Sequence, residues 1–380
     1  MSGPLHGVRI VEFAGLGPGP FCAMMLADHG AEVIRIDRIG GHVLGADPAG
    51  EFLNRSRKGL SVDLKSERGK ALVRRLCAGA DAVLEGYRPG VMERLGLGPD
   101  VLLADNPKLV YGRMTGWGQD GPYAGMAGHD INYIALSGAL HAIGRKGEKP
   151  VPPLNLVGDF GGGGMMLAFG MLAALLEAQK FGKGQVVDCA MTEGSAVLMA
   201  MIYSMLAQKR WRDERGSNFV DSAAPFYDVY ETADGKYIAA GAVEPQFYRT
   251  FIALIGLADD PTFAEQNDVR DWPAQKEKIA ARIRTRSRAE WAAVFEGQDA
   301  CVAPVMSLAE APHHPHNRAR GAFVDAAGGQ QPAPAPRYSR SQTAAPAPLD
   351  IGRDAADLIL ANAGFAAEDI AELRRAGVVG

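Results

Sequence analysis

Residues Val8–Asp37 read VRIVEFAGLGPGPFCAMMLADHGAEVIRID, and the order of textures in this stretch decides the fold. Val8–Phe13 is a short β-rich run. Phe21–His29 has helical character, with Gly30 placed as a C-cap, and Val33–Asp37 is a second β-rich run. Strand, helix and strand in this order make a βαβ unit of a parallel sheet. The alternation continues outward. Leu60–Leu64 reads as a strand, Ser66 caps a helix over Glu67–Ala78, and Ala82–Leu84 and Leu109–Met114 are further strands. Apolar helices are expected at about 130–142 and 162–180, with one more strand at Gln185–Asp188.

The turn inside the opening unit, Gly15-Leu16-Gly17-Pro18-Gly19-Pro20, invites a dinucleotide reading, because Asp37 ends the next strand where a ribose-binding acid would stand. The motif needs glycine at position 20, which is Pro20. Pro18 and Pro20 also lack the backbone N–H groups that a pyrophosphate would use. A stiff Gly/Pro turn in a Rossmann-like topology is the better reading, and a nicotinamide dehydrogenase the weaker one.

Beyond residue 205 the texture changes. Ala224–Glu231 and Tyr237–Ala242 are β-rich runs around Asp234-Gly235, a hairpin signal. Helical stretches follow near 245–256, 273–284 and 288–296. The expected organisation is therefore a large α/β domain over 1–205 and a smaller α+β domain over 222–315. A third segment, 325–380, holds an Ala/Pro/Gly/Gln-rich strap at 325–349 and two amphipathic helices near 353–363 and 366–376 that return to the large domain.

Composition narrows the function. A net charge of −4 with no basic block argues against nucleic acid or an anionic membrane as the main partner. MSGPLHGVRIVEF at the start lacks a basic region followed by a long apolar core, so no secretory signal is expected. No uninterrupted apolar run reaches the roughly 18 residues of a membrane span. Cys22, Cys77, Cys189 and Cys301 are far apart, as suits reduced thiols in the cytoplasm. No His/Cys cluster has metal-ligand spacing; His313, His314 and His316 are interrupted by Pro312 and Pro315 and read as a surface loop.

Two places offer proton-transfer chemistry: Gly128-His129-Asp130-Ile131, and thirty positions on Gly158-Asp159 followed by Phe160 and four glycines. An imidazole and a carboxylate on opposite sides of one carbon could remove a proton from one face and deliver one to the other, inverting a stereocentre. Five motifs stand in order: Gly86-Tyr87-Arg88-Pro89-Gly90, Met114–Gln119 (MTGWGQ), Gly128–Tyr133 (GHDINY), Asn155–Asp159 (NLVGD) and Gly184–Asp188 (GQVVD). Together, over about Leu5 to Arg340, the chain resembles the α-methylacyl-CoA racemases of the class III CoA-transferase (CaiB/BaiF-type) family.

The resemblance implies a Rossmann-like large domain built from both chain ends, a small α+β domain, and an interlocked homodimer whose active sites lie between the large domain of one subunit and the small domain of the other. It implies a racemase acting on 2-methylacyl-CoA thioesters through an enolate, with no metal and no cofactor beyond the CoA of the substrate. His129 and Asp159 would be the two bases, for the (S)- and (R)-epimers respectively, and Glu244 would bond the other nitrogen of His129. Arg38, Arg88 and Arg94 would hold the CoA phosphates, with Tyr87, Gly86 and Val62-Asp63-Leu64-Lys65 lining the nucleotide pocket. Gly128, Asp130, Ile131, Asn132 and Tyr133 would complete the substrate contacts. Met165, Met166, Met171, Met191, Met199, Met201 and Met205 could line an acyl channel, though helical spacing makes ordinary core the better reading for most of them.

Each of these residues also has an ordinary structural use: a satisfied histidine, an N-cap aspartate, a first-turn glutamate before Pro245, solvated arginines. The rival activity is a CoA transferase of the same family, using Asp159 as a nucleophile that forms a mixed anhydride. Such transferases lack the histidine of the Gly128–Tyr133 motif, and His129 is present. A CoA-thioester-binding protein without activity is the non-enzymatic alternative.

Overall fold

Six parallel strands in the order β3-β2-β1-β4-β5-β6 organise the first half of the chain in the computed structural model, which describes residues 3–41, 48–326 and 328–380. The elements run β1 (Arg9–Phe13), α1 (Pro18–Asp28), β2 (Glu32–Arg38), β3 (Lys58–Val62), α2 (Glu67–Ala78), β4 (Ala82–Glu85), α3 (Val91–Arg94), α4 (Pro99–Asp105), β5 (Val110–Thr115), α5 (Asp130–Leu136) and α6 (Ala139–Ala142). A π-helical segment (Leu156–Met165), α7 (Met166–Phe181), β6 (Val186–Ala190), α8 (Met191–Leu198) and α9 (Ala200–Ala207) follow. Then come β7 (Tyr227–Glu231), β8 (Tyr237–Gly241), α10 (Pro245–Leu254), α11 (Trp272–Ile283), α12 (Arg288–Phe295) and β9 (Val302–Pro304). The chain closes with α13 (Pro315–Arg320), β10 (Phe323–Ala326), β11 (Gly329–Pro332), α14 (Arg353–Asn362) and α15 (Ala367–Arg375).

The chain divides into two compact units. The first comprises residues 1–137, 153–198 and 318–380, and the second 138–152 and 199–317. In the first, the βαβ alternation produces a sheet apolar on both faces, as parallel sheets require. One face buries Val11, Ile34, Val62 and Tyr111 against Leu72 and Leu76 of α2 and Ile359, Leu360 and Leu373 of α14 and α15. The other buries Ile10, Val33, Leu84 and Val110 against Leu26 of α1 and Leu167, Met171 and Leu175 of α7. The second unit has an antiparallel sheet, β7-β8-β9, packed on α10, α11 and α12 around Trp291, Phe251 and Phe226. The hairpin turn is where Asp234-Gly235 suggested, with Gly235 at φ 68°.

Several expectations are corrected. The helix expected over 130–142 is broken at Gly138, which takes φ 82°, and the second unit begins there. The strap is extended at its start but not unpaired there: β10 and β11 form an antiparallel pair. His313 ends a 3₁₀ turn and His316 lies in α13, so the histidine-rich stretch is two short helical pieces rather than a loop. Of the irregular loop expected over 39–58, residues 42–47 lie outside the described residues; the rest contains 3₁₀ turns at Pro48–Gly50 and Phe52–Asn54 and the first residue of β3.

The π-helical segment and α7 form one 26-residue helical run, long and apolar enough by length and composition to cross a membrane, with 44% of its most apolar window buried. Burial of its inner face against β5 and β6 is also what a core helix of an α/β unit shows. The π-helical turn depends on its glycines. A Cβ on Gly162 would fall 2.6 Å from the Ser195 nitrogen, and one on Gly194 would fall 1.8 Å from the Gly162 carbonyl oxygen. Bare backbone on both sides lets α8 press against this widened turn, a geometry often found where a helix presents a functional group.

Candidate active site

The strand order reverses between β1 and β4, and the cleft lies beyond the carboxyl ends of the strands at this switch point, as open α/β sheets dictate. Its volume is about 690 Å³. Every lining residue comes from the first unit: the Phe13–Pro20 turn, Asp37 and Arg38 after β2, Gly86–Pro89 after β4, Met114–Trp117 at the end of β5, Gly128, His129, Tyr133, Asp159 and Met191 among them.

His129 stands just before α5 in extended backbone, φ −135° and ψ 173°. Its N–H donates to the Asn132 side-chain oxygen at 3.0 Å, which fixes how the chain enters the helix. The His129 side chain is exposed toward the cleft, while Tyr133 one turn on is buried and donates its hydroxyl to the Gly128 carbonyl. Trp117 packs edge-on against Tyr133, with ring centroids 4.7 Å apart. Neither Gly116 nor Gly128 has room for a Cβ beside the Tyr133 ring. The His129 approach is therefore a rigid aromatic corner.

Asp159 lies in the first turn of the π-helical segment and is half-buried. Its Oδ2 accepts from the Asn155 side-chain amide at 3.0 Å, and its N–H donates to Asp130 Oδ2 at 2.7 Å. A Cβ on Gly17 would lie 3.1 Å from Asp159 Oδ2, so the Gly/Pro turn borders this carboxylate. Burial raises the Asp159 carboxyl above its ordinary value and the Asp130 charge adds to this, while the Asn155 hydrogen bond and His129 pull it back. A carboxylate held in this way is a stronger base than one in water.

The nucleotide-side residues divide. Arg38 and Tyr87 both line the cleft, with the guanidinium carbon 5.6 Å from the ring centroid, and Arg88 and Gly86 line it beside them. Asp63, Leu64, Lys65 and Val62 do not: Val62 and Leu64 are core, and the Asp63 N–H donates to the Val378 carbonyl at 3.0 Å. Arg94 is exposed at the end of α3, and Ile131 and Asn132 are exposed on α5; none of the three lines the cleft. Asp130 is buried behind it. Glu244 is exposed at the N-cap of α10 in the second unit. Of the seven methionines considered for an acyl channel, Met191 alone lines the cleft; Met171 is core and Met165 and Met201 are exposed.

Glu85 went unnoticed in the sequence. It is buried at the end of β4, accepts the Tyr87 N–H at 2.7 Å and the Arg113 Nε–H at 3.0 Å, and so holds the loop that carries Tyr87 and Arg88. Burial pushes its carboxyl up to about 7, against the pull of the Tyr87 N–H and Arg113. Because this value lies above the ordinary 4.5, the stability it contributes is fully present below about pH 4.5 and lost as pH rises through about 7. Glu85→Gln is expected to flatten the fall in stability across that window, as measured by urea unfolding at a series of pH values.

The chain is similar to known proteins over most of its length. The sequence pattern of CoA-transferase family III matches residues 5–354. The chain is 46% identical to the α-methylacyl-CoA racemase of Mus musculus over 381 aligned positions, covering 99% of this chain and 97% of the mouse protein. It is 48% identical to the α-methylacyl-CoA racemase of Homo sapiens, over 84% of this chain and 82% of the human protein. Its fold superposes on the crystal structure of a CaiB/BaiF family protein from Brucella suis with a TM-score of 0.82 at 26% identity, covering 96% of this chain and all of that one.

Proposed function

The chain belongs to CoA-transferase family III, and from that premise we propose that it is an isomerase interconverting the (2R)- and (2S)-epimers of 2-methylacyl-CoA thioesters. The observation that carries this reading is the presence of His129 and Asp159 in one cleft. An imidazole can accept and donate a proton, and burial raises the Asp159 carboxyl above its ordinary value, so each can act as base and, once protonated, as acid. A thioester acidifies its C2 hydrogen because the resulting enolate delocalises onto the carbonyl oxygen. One residue removes the proton, a planar enolate forms, and the other protonates the opposite face. The route calls for neither a metal nor a redox cofactor; CoA is part of the substrate.

Arg38 and Arg88 carry the charge and geometry to bind phosphates at the cleft, with Tyr87 beside them. Arg94 and Val62–Lys65 remain expected contacts for the nucleotide end, and Glu244 the expected partner that fixes the His129 tautomer. CoA binding far from C2 then positions the reacting carbon. The location proposed is the cytoplasm.

A homodimer is part of the proposal. Met165, Phe169, Leu172 and Leu176 recur at helical spacing on one face of the run through α7 and are exposed, Phe169 by 73%. An apolar stripe of this kind marks a surface that another chain covers. Phe169→Glu is expected to shift the protein toward monomer in size-exclusion chromatography with light scattering; an unchanged mass would remove the stripe from the interface.

The activity is tested by incubating one pure epimer without any acceptor acid and following epimer composition by chiral chromatography. Approach to a mixture of both epimers is expected. An unchanged composition, with acyl-CoA formation only once an acceptor carboxylate is added, would move the assignment to the CoA transferase acting through Asp159.

A further inference from the structure

We infer that the Asp130 side chain is a positioning residue that ties the two proton-transfer residues together, anchoring the backbone of Asp159 to the start of the helix that follows His129. This rests on the two-base reading above and assigns Asp130 a role other than substrate contact.

Asp130 adjoins His129 in sequence, and its Oδ2 accepts the Asp159 N–H at 2.7 Å across 29 residues of chain. The residue is 5% exposed, and its Oδ1 is buried with no hydrogen-bond partner among the described residues. A buried carboxylate with one oxygen unpaired is costly to hold. An acid in the first turn of α5 would favour that helix start without reaching another element, and α5 is only seven residues long. Here the side chain points instead at another element. The backbone is shaped to receive it: a Cβ on Gly158 would fall 2.4 Å from Asp130 Oδ2 and 2.7 Å from its Cγ, so glycine alone lets the π-helical segment pass so close.

The result is a short mechanical path from His129 to Asp159: one peptide bond, one side chain, one hydrogen bond. The separation of the two bases across C2 is set by that path. The charged and titratable groups around it are His129 and Tyr133 from α5 and its approach, Asp159 from the π-helical segment, and Arg88, which acts on Tyr133 from the loop after β4. Within this set the Asp130 charge favours the protonated form of Asp159.

The test uses the full-length enzyme, after the wild type has been shown to epimerise a 2-methylacyl-CoA. Asp130→Ala is expected to lower kcat on the order of 10²-fold in both directions, the effect of misplacing a reacting group by about 1 Å, with KM changed by less than about twofold. Asp130→Asn keeps an oxygen that can accept the Asp159 N–H. It is expected to recover most of kcat and to move the acid limb of the kcat–pH profile to lower pH in the direction where Asp159 is the base. A wild type without epimerisation would defeat the racemase reading itself. With an active wild type, unchanged kcat in Asp130→Ala, a change confined to KM, or an Asp130→Asn variant as impaired as the alanine with no shift of the limb would each overturn the tether.

Discussion

Replacing Asp159 with Asn is expected to lower kcat for epimer interconversion about 10²–10⁴-fold, the range for loss of a positioned acid–base group. His129→Ala should do the same. Asparagine keeps the shape that Asn155 and the Gly17 turn enclose, so the loss would report chemistry rather than folding. The two variants should differ in one informative respect. Each retains one base and should still exchange the C2 hydrogen of the single epimer that presents this hydrogen to it, without inverting the centre. Single-turnover assays on each pure epimer, read by NMR and chiral chromatography, would show this. Substantial interconversion by either variant would mean that the missing residue is not one of the bases.

The second large effect is expected at a pair with no part in the chemistry. The side chains of Glu12 and Arg57 are both 0% exposed, and Arg57 Nη1 donates to Glu12 Oε1 at 2.7 Å and Oε2 at 2.5 Å. Arg57 Nη2 donates to the Pro20 carbonyl at 2.7 Å and to the Leu53 carbonyl, so the pair also braces the Gly/Pro turn that borders Asp159. Glu12→Gln leaves a buried guanidinium without its counter-charge, and should cost about 3–5 kcal/mol in urea unfolding. Arg35, whose charge also reaches this pair, makes the loss worse by repulsion. Combining Glu12→Gln with Arg57→Met removes the unpaired charge and should restore much of the stability, a coupling visible in a double-mutant cycle. A single variant as stable as the wild type would show that water reaches the pair.

Much of the first unit was legible because its signals are local. β-rich runs separated by a capped helix specify βαβ, and Ser66 caps α2 as expected, accepting the Gly69 N–H at 3.1 Å. The Gly15–Pro20 turn was legible as a stiff turn, though not as the wall beside Asp159, because that contact comes from a segment more than 130 residues away. A helix from about residue 162 was legible, but its π-helical start at Leu156 was not. Four glycines weigh against helix there, and packing against α1 and α8 accounts for it. The assignment of residues 138–152 to the second unit was hidden for the same reason: Gly138 reads as a tolerated glycine until its left-handed φ is known.

The candidate bases were legible through their motifs, and both reach the cleft. The residues that hold them were less so. Glu85 precedes a recognisable motif, yet a glutamate closing a short strand carries no sign that it will be buried against Arg113. Asp130 could be read only as one letter of a motif, since its partner, the Asp159 N–H, is a backbone group with no sequence signature. Val62 and Leu64 show the converse: the resemblance names them at the nucleotide, and their apolar side chains lie in the core, which leaves their backbone for such a contact.

The most direct test of the two-base account is to incubate the enzyme with a single epimer of a 2-methylacyl-CoA in D₂O and follow C2 deuteration by NMR alongside epimer composition. The account predicts deuterium at C2 of the inverted product from the first turnovers, as an epimer mixture is approached. Inversion without deuterium entry at any stage, or neither exchange nor inversion across several acyl groups, would contradict it.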